Sequence, residues 1–257
     1  LIPFAALLHP TLEAPMNPET SARLIALNQR FYTDYSRSFS ATRQRIQPGV
    51  RRIMETVLLP SSARLLDLGC GNGELAHELL DRGFSGSYTG LDFSPGLLED
   101  ARQAAPSCAF FQADLTAPSW AHSLAGSTFD IVLSFATLHH IPSYDFRLDL
   151  LKKVNGLLSP SGRFIHSEWQ FLNSQRLTKR ILAWEAAGFK KDDLDPGDYL
   201  LDWRAGETTP GLRYAHHYNE EELSVLADES GFEILETYYS DGQESKLGLY
   251  QIWQKRI

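Results

Sequence analysis

The sequence predicts an α/β fold: a doubly wound, mostly parallel sheet of seven strands with an antiparallel last strand, N-terminal helices, and an insertion after the fifth strand. Three observations carry this. Short apolar runs alternate with amphipathic stretches from Arg64 to Ser167, the rhythm of βα units. The run Leu65–Leu66–Asp67–Leu68 breaks into Gly69–Cys70–Gly71–Asn72–Gly73 and then opens a helical pattern. Near its end the chain holds two strand-like runs joined by Asp241–Gly242, a hairpin signal. With 257 residues and 43% hydrophobic content, there is enough chain for one well-packed domain and an appended segment. A single domain is expected, with a helical cap over 1–60, a core over 61–168, an insertion over 169–218, and a closing helix and hairpin over 219–257.

The elements follow in order. Asn17 and Pro18 suit an N-cap and first helical position, and Leu24, Leu27, Phe31 and Tyr35 recur at helical spacing to about residue 36. A second helix starts near Pro48 and ends before Pro60. Strands are expected at 64–68, 87–92, 109–113, 129–134 and 162–167. The helices between them span 73–82, 95–104, a short stretch near 118–124, and 145–158. After Glu168 the alternation stops. Residues 173–187 read as a helix, followed by a loop rich in Asp, Gly and Pro up to about 218. Asn219 through Glu222 form a capping-box start for a helix ending near Gly231. Phe232–Tyr239 and Lys246–Gln254 close the sheet.

The chemistry concentrates at strand ends. Gly69, Gly71 and Gly73 lack a Cβ, so the turn reaches positive φ and a ligand can approach the main chain. A nicotinamide or flavin fingerprint needs Gly or Ala at position 74, where the helix N-terminus meets a diphosphate. Glu74 stands there and would repel one. Asp92, one βα unit later, suits a carboxylate that accepts both hydroxyls of a ribose, with Phe93 over the adenine face. Asp114 ends the third strand, between Ala113 and Leu115. Ser134, Phe135 and Ala136 then lead to His139–His140, at the carboxyl edge of the sheet, where such folds bind ligands.

The GxGxG loop followed by Asp92 and Asp114 resembles class I S-adenosylmethionine (SAM) methyltransferases, whose cofactor carries a sulfonium cation and no phosphate. The resemblance implies a Rossmann-like methyltransferase sheet and SAM as cofactor, with S-adenosyl-L-homocysteine as product. It implies cofactor contacts from Asp67, Gly69, Cys70, Gly71, Asp92, Phe93, Ala113, Asp114, Leu115, Ser134, Phe135 and Ala136, with Asp114 at the adenine amino group. Tyr32 is expected at the pocket, and Arg43 at the methionine carboxylate or the substrate.

Three further segments resemble the tRNA wobble-uridine carboxymethyl methyltransferases, which esterify a carboxymethyl group on the anticodon uridine. They are Phe31–Tyr32 through Phe39–Arg43, the Leu133–Ser134 and Leu138–Ile141 pair, and Gly197–Trp203 with Arg213–Tyr218 and Glu221–Leu223. Asp202 stands where that pattern has proline, and Ala215 where it has an aromatic residue. The resemblance implies tRNA as a possible acceptor and a small zinc-binding activator in some relatives. A relative acting on a small carboxylate fits equally well.

A carboxylate is already ionised at pH 7, so its methylation needs no base, only a cation to hold the acid. Arg43, Arg213 and Arg204 are the candidates. Methylation of an amine or hydroxyl needs a proton acceptor, and His139 or His140 would serve. A binding subunit without catalysis is the non-enzyme alternative. The formal net charge of −8 argues against a protein that coats nucleic acid. Basic residues nevertheless cluster between Arg30 and Arg52 and between Arg176 and Lys191. The two cysteines, Cys70 and Cys108, suit a reduced cytoplasmic protein, and no His/Cys cluster has metal spacing. Leu1–Leu8 is too short to span a membrane and lacks a basic flank, so no membrane association is expected.

Overall fold

Asn17 launches the first helix: its side-chain oxygen accepts from the Glu19 amide at 2.8 Å and Pro18 fills the first helical position of α1, Pro18–Asp34. The structure, a computed structural model, describes residues 15–35, 45–58, 62–203 and 211–256. Pro48 likewise starts α2, Pro48–Ile53, which runs on as a π-helical turn, Met54–Leu58.

The alternating segment then builds β1, Arg64–Leu68; α3, Glu74–Asp81; β2, Ser87–Asp92; α4, Pro95–Ala104; β3, Ala109–Gln112; β4, Phe129–Phe135; α5, Tyr144–Leu157; and β5, Leu158–Trp169. Only a 3₁₀ turn, His122–Leu124, forms where a short helix was expected near 118–124. After the insertion come α7, Glu220–Glu229; β9, Phe232–Ser240; and β10, Gly248–Lys255. Asn219 caps α7 by accepting from the Glu222 amide at 2.8 Å.

The main sheet has seven strands in the order β3-β2-β1-β4-β5-β10-β9. All contacts from β3 through β5 are parallel, whereas β10 runs antiparallel to both β5 and β9. This is the mostly parallel sheet with an antiparallel last strand that the sequence predicts. Its inner strands, β1, β4 and β10 above all, are buried on both faces, which explains their near-continuous apolar runs, whereas the edge strands β3 and β9 expose one face. Leu66, Leu68, Val132, Phe164 and Trp253 pack on the face covered by α5 and α7, and Leu65, Leu133 and Ile165 on the face covered by α2, α3 and α4. The strand order reverses at β1, between β2 and β4, so a crevice opens at the carboxyl ends of these strands.

The insertion differs from its expectation. The helix over 173–187 does not form: α6 spans only Gln175–Thr178, and Ile181–Leu182 becomes β6. The expected loop after it holds β7, Asp198–Trp203, and β8, Gly211–His216, which complete a three-stranded antiparallel sheet. Ile181 and Leu182 find pairing partners in Leu201 and Leu200, and Trp184 packs on Phe189 in a small core with Leu24 and Tyr214. Tertiary pairing overrides the helical spacing here. The side-chain amide of Gln170 donates to the Tyr218 carbonyl at 3.0 Å and joins the two ends of the insertion.

Candidate active site

The glycine loop is held by main-chain bonds. The amides of Gly69 and Cys70 both donate to the Leu91 carbonyl, at 2.8 and 3.0 Å, tying the turn to the end of β2. Gly69 has φ +78°, and an added Cβ would lie 2.2 Å from Thr137 Oγ1, so the loop after β4 rests directly on it. Gly71 has φ +57°, and a Cβ there would meet nothing within 4 Å. Its open side belongs to a cavity between the loop and α1. Asp92 accepts from the Gly71 amide at 3.0 Å and the Ser94 amide at 2.9 Å, so its carboxylate first fixes the loop that it faces. Burial raises its pKa, and those amides hold the rise back.

Around the same cavity lie Phe93, Ala113, Asp114, Leu115, Phe135 and Ala136. Asp114 accepts from the Gln29 side chain at 2.9 Å and from the Thr116 amide and hydroxyl at 2.9 and 2.6 Å. Gln29 brings α1 across the cavity from 85 residues away. Tyr32, one turn further along α1, sets its ring edge-on to Phe93 at 5.9 Å and its hydroxyl 2.7 Å from His140 Nε2. His140 Nδ1 lies 3.1 Å from the Tyr214 carbonyl, which can only accept. Nδ1 therefore carries the proton, and Nε2 accepts a hydrogen bond from the Tyr32 hydroxyl. Both nitrogens of His140 serve to join α1, the β4 loop and β8.

A second cavity shares Gly69, Phe135, Ala136 and His140 with the first. Asp67 and Cys70 line this second cavity, as do His139, Glu168, Trp169 and Arg213. Asp67 accepts from the buried Tyr88 hydroxyl. Burial pushes its pKa up to about 7, the Tyr88 hydrogen bond holds it back, and nearby Asp92 adds to the rise. Arg213 is 7% exposed, and its guanidinium lies 4.4 Å from the Trp169 ring centre and 5.6 Å from that of Phe31. His139 Nδ1 is 3.1 Å from one Glu168 oxygen, and His166 Nδ1 is 2.9 Å from the other.

The sequence-derived residues therefore divide between two adjoining cavities. Ser134 is buried within β4 and lines neither, one residue before Phe135, which lines both. Arg43 and Arg204 lie outside the described residues. Gln29 and Trp169 were not singled out from the sequence, and Glu168 served only as the end of the core. Their contacts span long stretches of chain, so no local motif marks them.

The insertion is fastened by buried charge. Arg147 on α5, 1% exposed, reaches Asp195 at 2.5 Å and Glu222 at 3.2 Å. His216 sits 2.7 Å from Asp198 and 2.9 Å from Glu222, and the Tyr214 hydroxyl donates to Asp198 at 2.8 Å.

Comparison with known proteins decides the family: the family described as the methyltransferase domain matches residues 39–237. The chain belongs to this methyltransferase family. Over 208 residues the methyltransferase is 33% identical to an Encephalitozoon cuniculi protein with a provisional methyltransferase name, covering 80% of this chain and 87% of that relative. It is 31% identical over 148 residues to the trans-aconitate 2-methyltransferase of Escherichia coli O45:K1, covering 57% of this chain and 54% of the enzyme. Among solved structures, a SAM-dependent methyltransferase of Methanosarcina mazei superposes with a TM-score of 0.61 at 25% identity, covering 82% of this chain and 99% of that one.

The enzyme is SAM-dependent, and the first cavity fits the cofactor. Gly71 is open toward it, no phosphate-binding cation is needed, and the acidic side chains Asp92 and Asp114 that line it suit a cationic ligand, with Asp67 in the adjoining cavity. Asp92 would hold the ribose, and Asp114 the adenine edge. Among the described residues, no helix is long and apolar enough to cross a membrane.

Proposed function

We propose that this methyltransferase esterifies a carboxylate, with Arg213 holding the acid group of the acceptor. The observation that carries the reading is the buried guanidinium of Arg213, backed by the Trp169 ring in the second cavity, which shares Gly69, Phe135, Ala136 and His140 with the donor cavity. A planar guanidinium matches a carboxylate in two-point fashion, and a low-dielectric wall strengthens the pairing. SAM supplies an electrophilic methyl group when bound. An acceptor oxygen forms the new O–CH₃ bond as the S–CH₃ bond breaks, and the bonding pair stays on sulfur. The acid arrives ionised, so no proton has to leave and the protein's task is alignment and exclusion of water. The engagement of both His140 nitrogens agrees with a reaction that needs no base there.

Two sources of such an acid have support. The Escherichia coli relative is named for trans-aconitate, a small polycarboxylate. The segments Gly197–Trp203 and Arg213–Tyr218 resemble enzymes that methylate the carboxymethyl group of a tRNA uridine. A second reading has one observation in its favour: His139 paired with buried Glu168 has the form of a general base for a hydroxyl or amine.

Transfer of labelled methyl from SAM to total tRNA and, separately, to a small-metabolite extract tests these readings together. The expected product releases volatile label under mild alkali, as a methyl ester does, and the fraction that carries it names the source. Label that survives alkali in both fractions overturns the carboxylate reading in favour of amine or hydroxyl transfer.

A further inference from the structure

Glu168 is 1% exposed and joins two imidazoles, His139 at 3.1 Å and His166 at 2.9 Å. The two rings are not equivalent. His166 is fully buried, stacked on Phe164 at 4.9 Å and set edge-on to Trp253 at 4.6 Å, and its Nε2 has no hydrogen-bond partner among the described residues. A proton on that Nε2 would put an unpaired cationic N–H into an apolar sandwich, so His166 stays neutral and gives its single Nδ1–H to Glu168. Burial accordingly pushes its pKa down to about 3. His166 thus orients the carboxyl group and supplies no positive charge to it.

Other charges near Glu168 do not close the balance. Against burial, the His139 main-chain amide favours its ionised form, Glu222 opposes it and Arg147 favours it more weakly. The buried Tyr218 hydroxyl donates to the Leu138 carbonyl. Arg213 lines the same cavity on β8, and the His140 ring, its centre 4.4 Å from that of His139, gives its Nδ1 proton to the Tyr214 carbonyl and accepts from the Tyr32 hydroxyl at Nε2. Burial raises Glu168 well above the usual carboxylate range, so a bare carboxylate beside a neutral His139 is disfavoured. The pair relieves this by holding one proton between Glu168 and Nδ1 while Nε2 keeps its own.

We propose that Glu168, oriented by His166, is a positioning residue that keeps His139 protonated on Nε2, so that the ring donates a hydrogen bond to an anionic acceptor and does not act as a base. His139 and Arg213 both line the second cavity, and with Nε2 protonated each offers a donor to an acid group held in it. The inference deepens the carboxylate reading and rests on it for the nature of the acceptor; the protonation state itself is measurable without one.

The test is a long-range ¹H–¹⁵N correlation titration of the full chain, labelled at histidine nitrogens and saturated with S-adenosylhomocysteine, from about pH 5 to pH 9. His139→Asn and His166→Asn assign the two signals. His139 Nε2 is expected to stay protonated past neutral pH, and His166 to remain a neutral Nδ1–H tautomer throughout. Glu168→Gln is expected to lower the His139 titration by about one pH unit or more. A bare Nε2 on His139 at pH 7, or a His139 titration unchanged in Glu168→Gln, overturns the proposal. If Glu168→Gln does not fold, the wild-type signal alone decides. Alkali-stable methyl label would defeat the carboxylate reading and leave this protonation state standing, whereas a bare Nε2 would do the reverse.

Discussion

The glycine loop shapes its cavity with main-chain amides tied to Leu91 and Asp92, all within one βα unit, whereas the neighbouring cavity draws Glu168, Arg213 and Tyr250 from three separate strands. The first depends on φ angles and hydrogen bonds set by nearby sequence. The second depends on side chains whose positions follow from how the insertion is fastened to the core. Donor binding should therefore survive damage to the acceptor side, and the variants below probe that separation in order of expected effect.

Arg147→Ala removes the cation between Asp195 and Glu222, and breaking such a buried arrangement costs about 3 to 5 kcal/mol. Denaturant unfolding should show that loss, while SAM affinity of the folded protein stays within about twofold of wild type. A parallel collapse of SAM affinity would mean that the two halves are not separable. Asp92→Ala strips an acceptor from the Gly71 and Ser94 amides, a loss of about 3 kcal/mol, or roughly 100-fold in SAM affinity by calorimetry. Arg213→Ala should lower kcat/KM for the acceptor by a similar factor, roughly 100-fold, with SAM affinity unchanged. Full activity in that variant removes the guanidinium clamp.

Asp67 gives the comparison a pH axis. Its carboxyl has a folded pKa of about 7 against an ordinary 3.8, so folding favours the protonated form. That contribution is complete below the ordinary value and is lost as pH rises to about 7. Between these limits the unfolded chain binds fewer protons, and stability of the cofactor-free protein should fall by up to about 1.4 kcal/mol per pH unit. Thermal melts of Asp67→Asn should lack this slope. Tyr32→Phe removes the hydroxyl bond to His140 and should cost about 1 kcal/mol in melting experiments, with turnover reduced only several-fold.

The same contrast explains what could be read before the fold was known. Gly69, Gly71, Asp92 and Asp114 are legible because their spacing encodes a strand, a turn and a helix in sequence, and the sheet of seven strands follows from the same alternation. The insertion is less legible because its strands carry no alternation of burial: in β7, Leu200, Leu201 and Asp202 are all buried. Ile181, Leu182 and Trp184 imitate a helical stripe, and only pairing with Leu200 and Leu201 shows otherwise. Glu168 and Gln29 act on partners 29 and 85 residues away, a relation that composition does not record.

The hydrogen bond from Gln170 to Tyr218 has a consequence for heredity and engineering. It places the exit and re-entry of the three-stranded sheet side by side on the core, the condition under which whole segments are exchanged without disturbing a host domain. Residues 171–217 form a cassette that a recombination event or a designer could replace through two adjacent junctions. A successful graft would have to bring its own anion for Arg147 in place of Asp195 and its own carbonyl for His140, and with those supplied the methyl donor's half of the enzyme would accept a new clientele.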